Sequence, residues 1–282
     1  MSGQWFDPAG RIESLPLDDR GLHYGDGLFE TIAIRAGKPR LWDLHMERLH
    51  LGCTRLGIPA PGRDVLLHLL SAGLRESAPT AVGLAKIIVT RGSSPRGYGY
   101  TSDVSPRVLM GFFENPGLPD VHRSHGIKVR ICSTRMAAQP SLAGIKTLNR
   151  LEQVLARAEW QDDSIFEGLM LNAEDHVVCG TMSNLYAVID SRLKTPPITE
   201  SGVCGVMRRQ ILSVAGSNGI PIDIEPLPVS HMGRSSEVFV CNSQFGILPV
   251  RQCGEITYRV PGEMTAALRS LLARSGIEEC DL

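Results

Sequence analysis

Lysine is scarce in this chain, cysteines are unpaired, and long apolar runs are missing; each shortage excludes something. No apolar stretch approaches the ~18 residues that a membrane-crossing helix needs. The N-terminal MSGQWFDPAG has no signal-peptide profile, so no membrane role is expected. A formal net charge of −1 offers no footprint for a polyanion, and nucleic acid is not an expected partner. The seven cysteines (Cys53, Cys132, Cys179, Cys204, Cys241, Cys253 and Cys280) are scattered and include no C-x-x-C pair. That argues against a disulfide framework or a structural zinc site, and for a reducing cytoplasm. His45 and His50, five apart, miss the helical spacing at which two histidines converge on one ion. No internal repeat or low-complexity tract is found.

With 282 residues, 43% of them hydrophobic, the chain can bury the core of one large domain or two smaller ones. Short β-branched runs predict strands at 31–34, 86–90, 108–112, 128–131, 167–171, 185–189 and 237–240. Apolar residues three or four apart predict helices over roughly 42–57, 63–76, 148–160, 205–216 and 261–274. Segment 116–126, rich in turn formers and without periodicity, is the expected linker. It separates an N-terminal α/β domain (1–115) from a larger C-terminal α/β domain (127–282).

There are five lysines: Lys38, Lys86, Lys128, Lys146 and Lys194. Lys38 lies in a Gly-Lys-Pro turn and Lys194 beside Pro-Pro, so both should be solvated. Lys86 and Lys128 fall near predicted strand starts and read the same way. Lys146 differs. It lies between Leu142-Ala143-Gly144-Ile145 and a helix in which Leu148, Leu151, Val154, Leu155 and Ala158 can form one buried stripe. Desolvation at such a junction lowers an amine's pKa and frees it for nucleophilic or basic work.

The Lys146 segment, LAGIKTLNRLEQVLARAEW, resembles the lysine segment of the fold-type IV pyridoxal 5'-phosphate (PLP) enzymes, the branched-chain aminotransferase-like family. Further likenesses follow in the family's order: DRGLHYGDGLFET (19–31), LHMERLHLGCTRLGI (44–58), VTRGSSPRGYG (89–99), GVCGVMR (202–208) and EVFVCNSQFGILPV (237–250). The resemblance implies two α/β domains in the D-amino-acid aminotransferase-like arrangement, with the cofactor in the cleft between them. It also implies a homodimer in which the neighbouring subunit completes the site. Within the family the likeness is strongest to the aminodeoxychorismate lyase branch. That implies elimination of pyruvate from 4-amino-4-deoxychorismate to give 4-aminobenzoate, in folate synthesis. The alternatives are a transaminase of D-amino or branched-chain amino acids, or a catalytically weakened PLP-binding homologue.

Residue by residue, Lys146 matches the lysine that holds PLP as a Schiff base and then moves protons. Arg48 matches the arginine on the PLP phosphate, where a permanent cation with forked donors suits the chemistry; the bare helix pattern alone reads it as a solvated arginine. Val206 and Met207 match backbone donors to the phosphate at a helix start. Asn242 and Ser243 match a second phosphate-binding turn, through hydroxyl and backbone donors. Arg96 and Tyr98 match positions that hold a substrate carboxylate, and a substrate with two carboxylates would suit Arg96 and Arg91 together. Thr31 matches a position facing the cofactor, where it assists proton movement or packs.

Cys179 departs from the pattern. It stands where the family has a glutamate against the PLP ring nitrogen. A thiol with a reference pKa of about 8.5 is mostly neutral at pH 7 and cannot compensate a ring charge as a carboxylate does. A weaker electron sink is expected, with transamination suffering more than an elimination driven by aromatisation.

Overall fold

The computed structural model describes residues 3–76, 82–101, 105–115 and 117–281. The chain divides into two compact units, one of residues 1–117 with 145–149 and one of residues 118–144 with 150–282. The lysine segment, expected in the C-terminal domain, thus packs with the first unit. Residue 116, the first of the expected linker, lies outside the described residues. The rest of that linker contains a short helix, α4 (Asp120–Ser124).

The first unit is built on an antiparallel six-stranded sheet. Its strands are β1 (Gln4–Asp7), β2 (Gly10–Ile12), β3 (Gly27–Arg35), β4 (Lys38–Pro39), β5 (Val82–Thr90) and β6 (Arg107–Glu114), in the order β2-β1-β6-β5-β3-β4. A short helix α1 (Arg20–Tyr24) precedes β3, and α2 (Trp42–Leu56) and α3 (Arg63–Glu76) follow β4. β3 and β5 pair in uninterrupted register from Gly27↔Thr90 to Arg35↔Val82. Period-two alternation therefore sets the faces: Leu28, Glu30 and Ile32 are buried on one, while Phe29 and Thr31 stand half-buried on the other. Helices α2 and α3 bury Leu49, Cys53, Leu66 and Leu69. Full burial of one such leucine stabilises by about 1.5–3 kcal/mol.

The second unit holds a mixed ten-stranded sheet. Its strands are β7 (Ile127–Arg135), β8 (Ile165–Leu171), β9 (His176–Gly180), β10 (Asn184–Ile189), β11 (Arg192–Thr195), β12 (Ile222–Ile224), β13 (Leu227–Pro228), β14 (Glu237–Asn242), β15 (Gly246–Cys253) and β16 (Ile256–Thr257). They run in the order β12-β11-β10-β14-β15-β7-β8-β9-β13, with β16 paired to β15. Parallel pairing is confined to β11–β12, β15–β7 and β7–β8. Apolar residues of the central strands (Leu169, Leu185, Val238, Val240 and Leu248 among them) make the main core, and α6 (Val206–Ser217) and α7 (Glu263–Arg274) pack on β14.

Helix α5 (Leu151–Arg157) is shorter than predicted, and the expected buried stripe is not found. Leu151, Val154 and Leu155 are 77%, 59% and 61% exposed, and Ala158 is exposed as well. Ala156 and Trp160 are the residues that turn inward, joining Cys132, Met136, Met170, Val178 and Cys179 in a second apolar cluster. Among the described residues no helix is long and apolar enough to cross a membrane.

Candidate active site

Lys146 sits in an extended segment that pairs with the start of β3, rather than at a helix junction. The Phe29 amide donates to the Lys146 carbonyl at 3.0 Å, the Leu148 amide to the Gly27 carbonyl at 2.9 Å, and Asn149 Nδ2 to the Gly25 carbonyl at 3.1 Å. Gly25 closes α1 with φ at 64°, the left-handed region that favours glycine. Gly27 has no room for a side chain, because a Cβ would collide with the Val89 carbonyl. These two glycines bring the Lys146 backbone onto the strand edge. The Lys146 Nζ then lies 4.4 Å from the centroid of the Phe29 ring, within cation–π range.

A second amine shares that ring. Lys86 Nζ is 5.3 Å from the Phe29 centroid, and Lys86 pairs directly with Thr31. The solvated strand end expected for Lys86 is corrected: it stands in the middle of β5, on the face that carries Phe29 and Thr31. Directly opposed residues in an antiparallel pair project to the same side, so Phe29, Thr31 and Lys86 form one half-buried surface beneath the Lys146 amine.

On the other face of β3 lies a buried charge cluster that sequence reading missed. Glu30 accepts from His45 Nδ1 at 2.6 Å, from Arg48 Nε at 2.8 Å and from Arg48 Nη2 at 2.5 Å. Glu30, His45 and Arg48 are 1%, 0% and 6% exposed. Burial alone would raise the Glu30 pKa, but Arg48 and then His45 more than offset it and hold the carboxyl at about 2. Burial pushes His45 below its ordinary value, opposed by Glu30 and reinforced by Arg48 and Lys146. His45 Nε2 is buried with no hydrogen-bond partner among the described residues. A histidine and an arginine one helical turn apart, both anchored on one carboxylate, thus present an orphan ring nitrogen beside a guanidinium.

The segment after β5 carries the residues expected to meet substrate. Arg96 is exposed and Tyr98 is 86% exposed, its ring 5.5 Å from that of Tyr24. Arg91 is different, and its expected substrate role is corrected. It is buried, with Nε and Nη2 on Asp26 at 2.8 and 3.1 Å, Nη2 also on the Leu56 carbonyl at 2.7 Å, and Nη1 on the Gly57 carbonyl at 2.9 Å. Its donors are committed within the fold.

In the second unit Cys179 lies one residue before the end of β9 in an apolar setting, 6% exposed, its Sγ donating to Met136 Sδ at 3.6 Å. The turn that follows is held by Glu167, another residue the sequence did not single out. This fully buried carboxyl accepts from the amides of Gly168, Thr181 and Met182 and from the hydroxyls of Thr181 and Ser183. Burial raises its pKa, and the hydrogen bonds offset only part of that. The turn delivers Asn184, which donates to the Val203 carbonyl at 2.9 Å and accepts from the Gly205 amide at 3.1 Å. Gly205 permits this approach, since a Cβ there would collide with Asn184 Oδ1. Asn184 thereby fixes the start of α6, where Val206 and Met207 stand at 2% and 0% exposure. The first amides of a helix have no intrahelical acceptor.

Asn242 uses its own side chain to close the β14–β15 turn. Its Oδ1 accepts from the Gln244 and Phe245 amides at 2.8 and 3.1 Å, and Nδ2 donates to the Met182 carbonyl at 3.3 Å. The Asn242 side chain thus shapes the turn itself, and Ser243 sits at the tip of that turn.

A family model for amino-transferase class IV matches residues 27–253 of the chain. The chain is a class IV aminotransferase family member. The match begins at Gly27, where β3 starts, and spans both units. Among family relatives, the aminodeoxychorismate lyase of Vibrio harveyi is 38% identical over 237 residues, covering 84% of this chain and 86% of that one. The crystal structure of 4-amino-4-deoxychorismate lyase from Pseudomonas aeruginosa is 44% identical with a TM-score of 0.90, covering 96% of this chain and 98% of that one. The D-alanine aminotransferase of Bacillus licheniformis is 25% identical, covering 94% and 93%. The mixed α/β architecture with its curled sheets is that of the fold-type IV members of the family.

Proposed function

We propose that this family member is a PLP-dependent lyase that converts 4-amino-4-deoxychorismate to 4-aminobenzoate and pyruvate. The observation that carries the reading is the Lys146 amine fixed against Phe29, with the Glu30–His45–Arg48 cluster on the same strand. The higher identity to two lyases than to the aminotransferase supports the lyase reading over transamination.

The residues present fit PLP. Lys146 offers an amine for its aldehyde, and Arg48 offers guanidinium donors for its phosphate. Within the second unit, the amides of Val206 and Met207 at the positive end of α6 and the Ser243 hydroxyl are donors of the kind a phosphate takes. When bound, PLP supplies an electron sink for the bond broken beside the substrate's amino group. Lys146 Nζ takes the proton from the amine-bearing ring carbon. The C–O bond to the enolpyruvyl group breaks with its electron pair leaving on oxygen, and the ring becomes aromatic. A returned proton turns the enolpyruvate into pyruvate. Thr31, on the Phe29 face, would assist that proton's movement or pack, and Lys86 adds a cation on the same surface. Arg96 and Tyr98 receive the substrate carboxylates.

The test is an assay of the purified holoenzyme for 4-aminobenzoate and pyruvate, beside an incubation with alanine and 2-oxoglutarate. Glutamate formation faster than 4-aminobenzoate formation would sink the lyase reading. Cys179 sharpens this test, because Met136, Val178 and Trp160 surround it with no carboxylate among them. Cys179→Glu is expected to raise transamination relative to elimination roughly tenfold, the effect of ~1.4 kcal/mol on a barrier, with a shift in the cofactor's visible absorption. An unchanged ratio and spectrum would remove Cys179 from the account of specificity.

We also infer that the enzyme is a homodimer. Leu151, Val154 and Leu155 form an apolar helix face too exposed for a lone chain, and the outward-facing Tyr98 suits a loop that serves a second copy's site. Leu151→Glu with Leu155→Glu is expected to convert the dimer to monomer in light scattering and to abolish turnover while the fold, read by circular dichroism, persists. A wild-type protein already monomeric would refute this.

A further inference from the structure

The segment bearing Arg96 and Tyr98 has almost nothing of its own to hold it. Pro95, Arg96, Gly97, Tyr98 and Gly99 are all exposed, and Gly97 has φ at 108°. An exposed, glycine-rich stretch without an apolar anchor is ordinarily mobile. This one is gripped from below by Arg20, which lies within the 19–31 segment but received no role in the sequence reading. Arg20 is 4% exposed. Its Nη1 donates to Ser94 Oγ at 3.0 Å, the Gly97 carbonyl at 3.0 Å and the Gly99 carbonyl at 3.2 Å, while Nη2 donates to the Tyr98 carbonyl at 3.0 Å. Three successive carbonyls converge on one guanidinium. The Gly97 amide adds a bond to Tyr24 Oη at 3.2 Å, and the Arg20 guanidinium lies 4.9 Å from the Tyr24 ring centroid.

A buried cation needs a counter-charge, and Asp26 supplies it twice. Its Oδ2 accepts from Arg20 Nε at 2.8 Å and from Arg91 Nε at 2.8 Å. Burial raises the Asp26 pKa, but hydrogen bonds from Arg91 and Arg20 bring it below the ordinary carboxylate value. Arg91 then ties the cluster to the carbonyls of Leu56, the last residue of α2, and of Gly57, which caps it, and lies 3.7 Å over the Tyr100 ring centroid. The chain of contacts runs from α2, which carries His45 and Arg48, through Arg91, Asp26 and Arg20 to the backbone of residues 97–99. Arginine is required at its end, because a lysine ammonium is a point donor that cannot span three carbonyls and a carboxylate at once.

We propose that Arg20 is a positioning residue for substrate recognition: with Asp26 and Arg91 it sets the 94–99 backbone so that Arg96 and Tyr98 meet the substrate carboxylates. The inference rests on the carboxylate role proposed above for those two residues. It adds that their placement depends on a remote buried arginine which touches no substrate.

The experiment compares holoenzyme of wild type, Arg20→Lys, Ser94→Ala and Arg96→Ala. Two readouts are followed: the rate of tryptic cleavage at the exposed Arg96–Gly97 bond, identified by mass, and KM and kcat for 4-amino-4-deoxychorismate. Arg20→Lys keeps the charge beside Asp26 but loses the carbonyl grip. It is expected to speed that cut and raise KM, each roughly tenfold, with kcat and the cofactor absorption little changed. Ser94→Ala, which removes one of the four contacts, should shift both readouts in the same direction by a smaller factor, and it serves if Arg20→Lys does not fold. An unchanged tryptic rate in both variants overturns the proposal. So does faster cleavage with unchanged KM while Arg96→Ala raises KM, because the loop would then be held for another reason. If Arg96→Ala leaves KM unaltered, the carboxylate reading itself has failed, and the positioning role falls with it by a separate result.

Discussion

Lys146→Ala is expected to lower lyase turnover by roughly 10⁴-fold or more, the upper range for loss of a positioned proton-transfer group. Borohydride treatment of the wild-type holoenzyme should fix the yellow cofactor onto one peptide, the one that contains Lys146, and leave the variant unlabelled. Two structural points make the loss specific. The Lys146 carbonyl is paired to the Phe29 amide at 3.0 Å, so alanine preserves the backbone and removes the amine alone. Lys86, the nearby amine 5.3 Å from the Phe29 ring centroid, sits on β5, so a label there would fall on a different peptide. Retained turnover in the variant, or a label on the Lys86 peptide, would overturn the assignment of the nucleophile.

The second large effect concerns stability. Arg48→Ala leaves Glu30 as a buried carboxylate whose only remaining named partner is His45, and removing one side of a buried pair typically costs about 3–5 kcal/mol. The sign of the pH dependence should reverse as well. In the wild type the Glu30 pKa is depressed from 4.5 to about 2. Its contribution is therefore fully present above pH 4.5 and is lost as pH falls toward 2; linkage puts it at roughly 3 kcal/mol. Without Arg48, burial dominates and raises that pKa above its ordinary value. The variant's penalty then shrinks as acid protonates Glu30 and grows as pH rises through the raised value. Urea unfolding at pH 4 and pH 8 checks this: the gap between wild type and variant should be wider at pH 8. A gap of equal width at both values would mean that Glu30 does not carry the charge that Arg48 balances.

Helices α2 and α3 were legible because their apolar residues recur with the helical period. Predicted over 42–57 and 63–76, they are found at Trp42–Leu56 and Arg63–Glu76. The same rule overreached at 148–160, since periodicity records an apolar face and not what covers it. Leu151, Val154 and Leu155 are apolar yet exposed. Strand β15 was missed where Pro249 interrupts the β-forming run, although Pro249 pairs with Phe239 in the finished sheet.

Lys146 was singled out by its position among the five lysines and by motif likeness, Arg48 by motif likeness alone. Glu30 and His45 were not, because their partnership joins a strand to a helix across 15 residues. One signal was present: Glu30 interrupts the buried alternation of Leu28 and Ile32, and a carboxylate at an inward position of a strand must have a cationic partner. Arg91 was misread for a related reason. Local sequence shows a cation near a loop, but not that Asp26 and two helix-end carbonyls already occupy it.

The five-residue strip that carries Lys146 belongs to the first unit although 27 residues of the second, 118–144, precede it along the chain. Severing the polypeptide at the 117/118 boundary would therefore produce no self-sufficient half. The leading fragment would keep Glu30, His45 and Arg48 with a bare edge at Gly27–Phe29, and the trailing fragment would carry the amine on a stretch lacking its neighbour. Such halves are suited to reassembly on mixing, with the exposed edge of β3 acting as the template that recaptures residues 145–149.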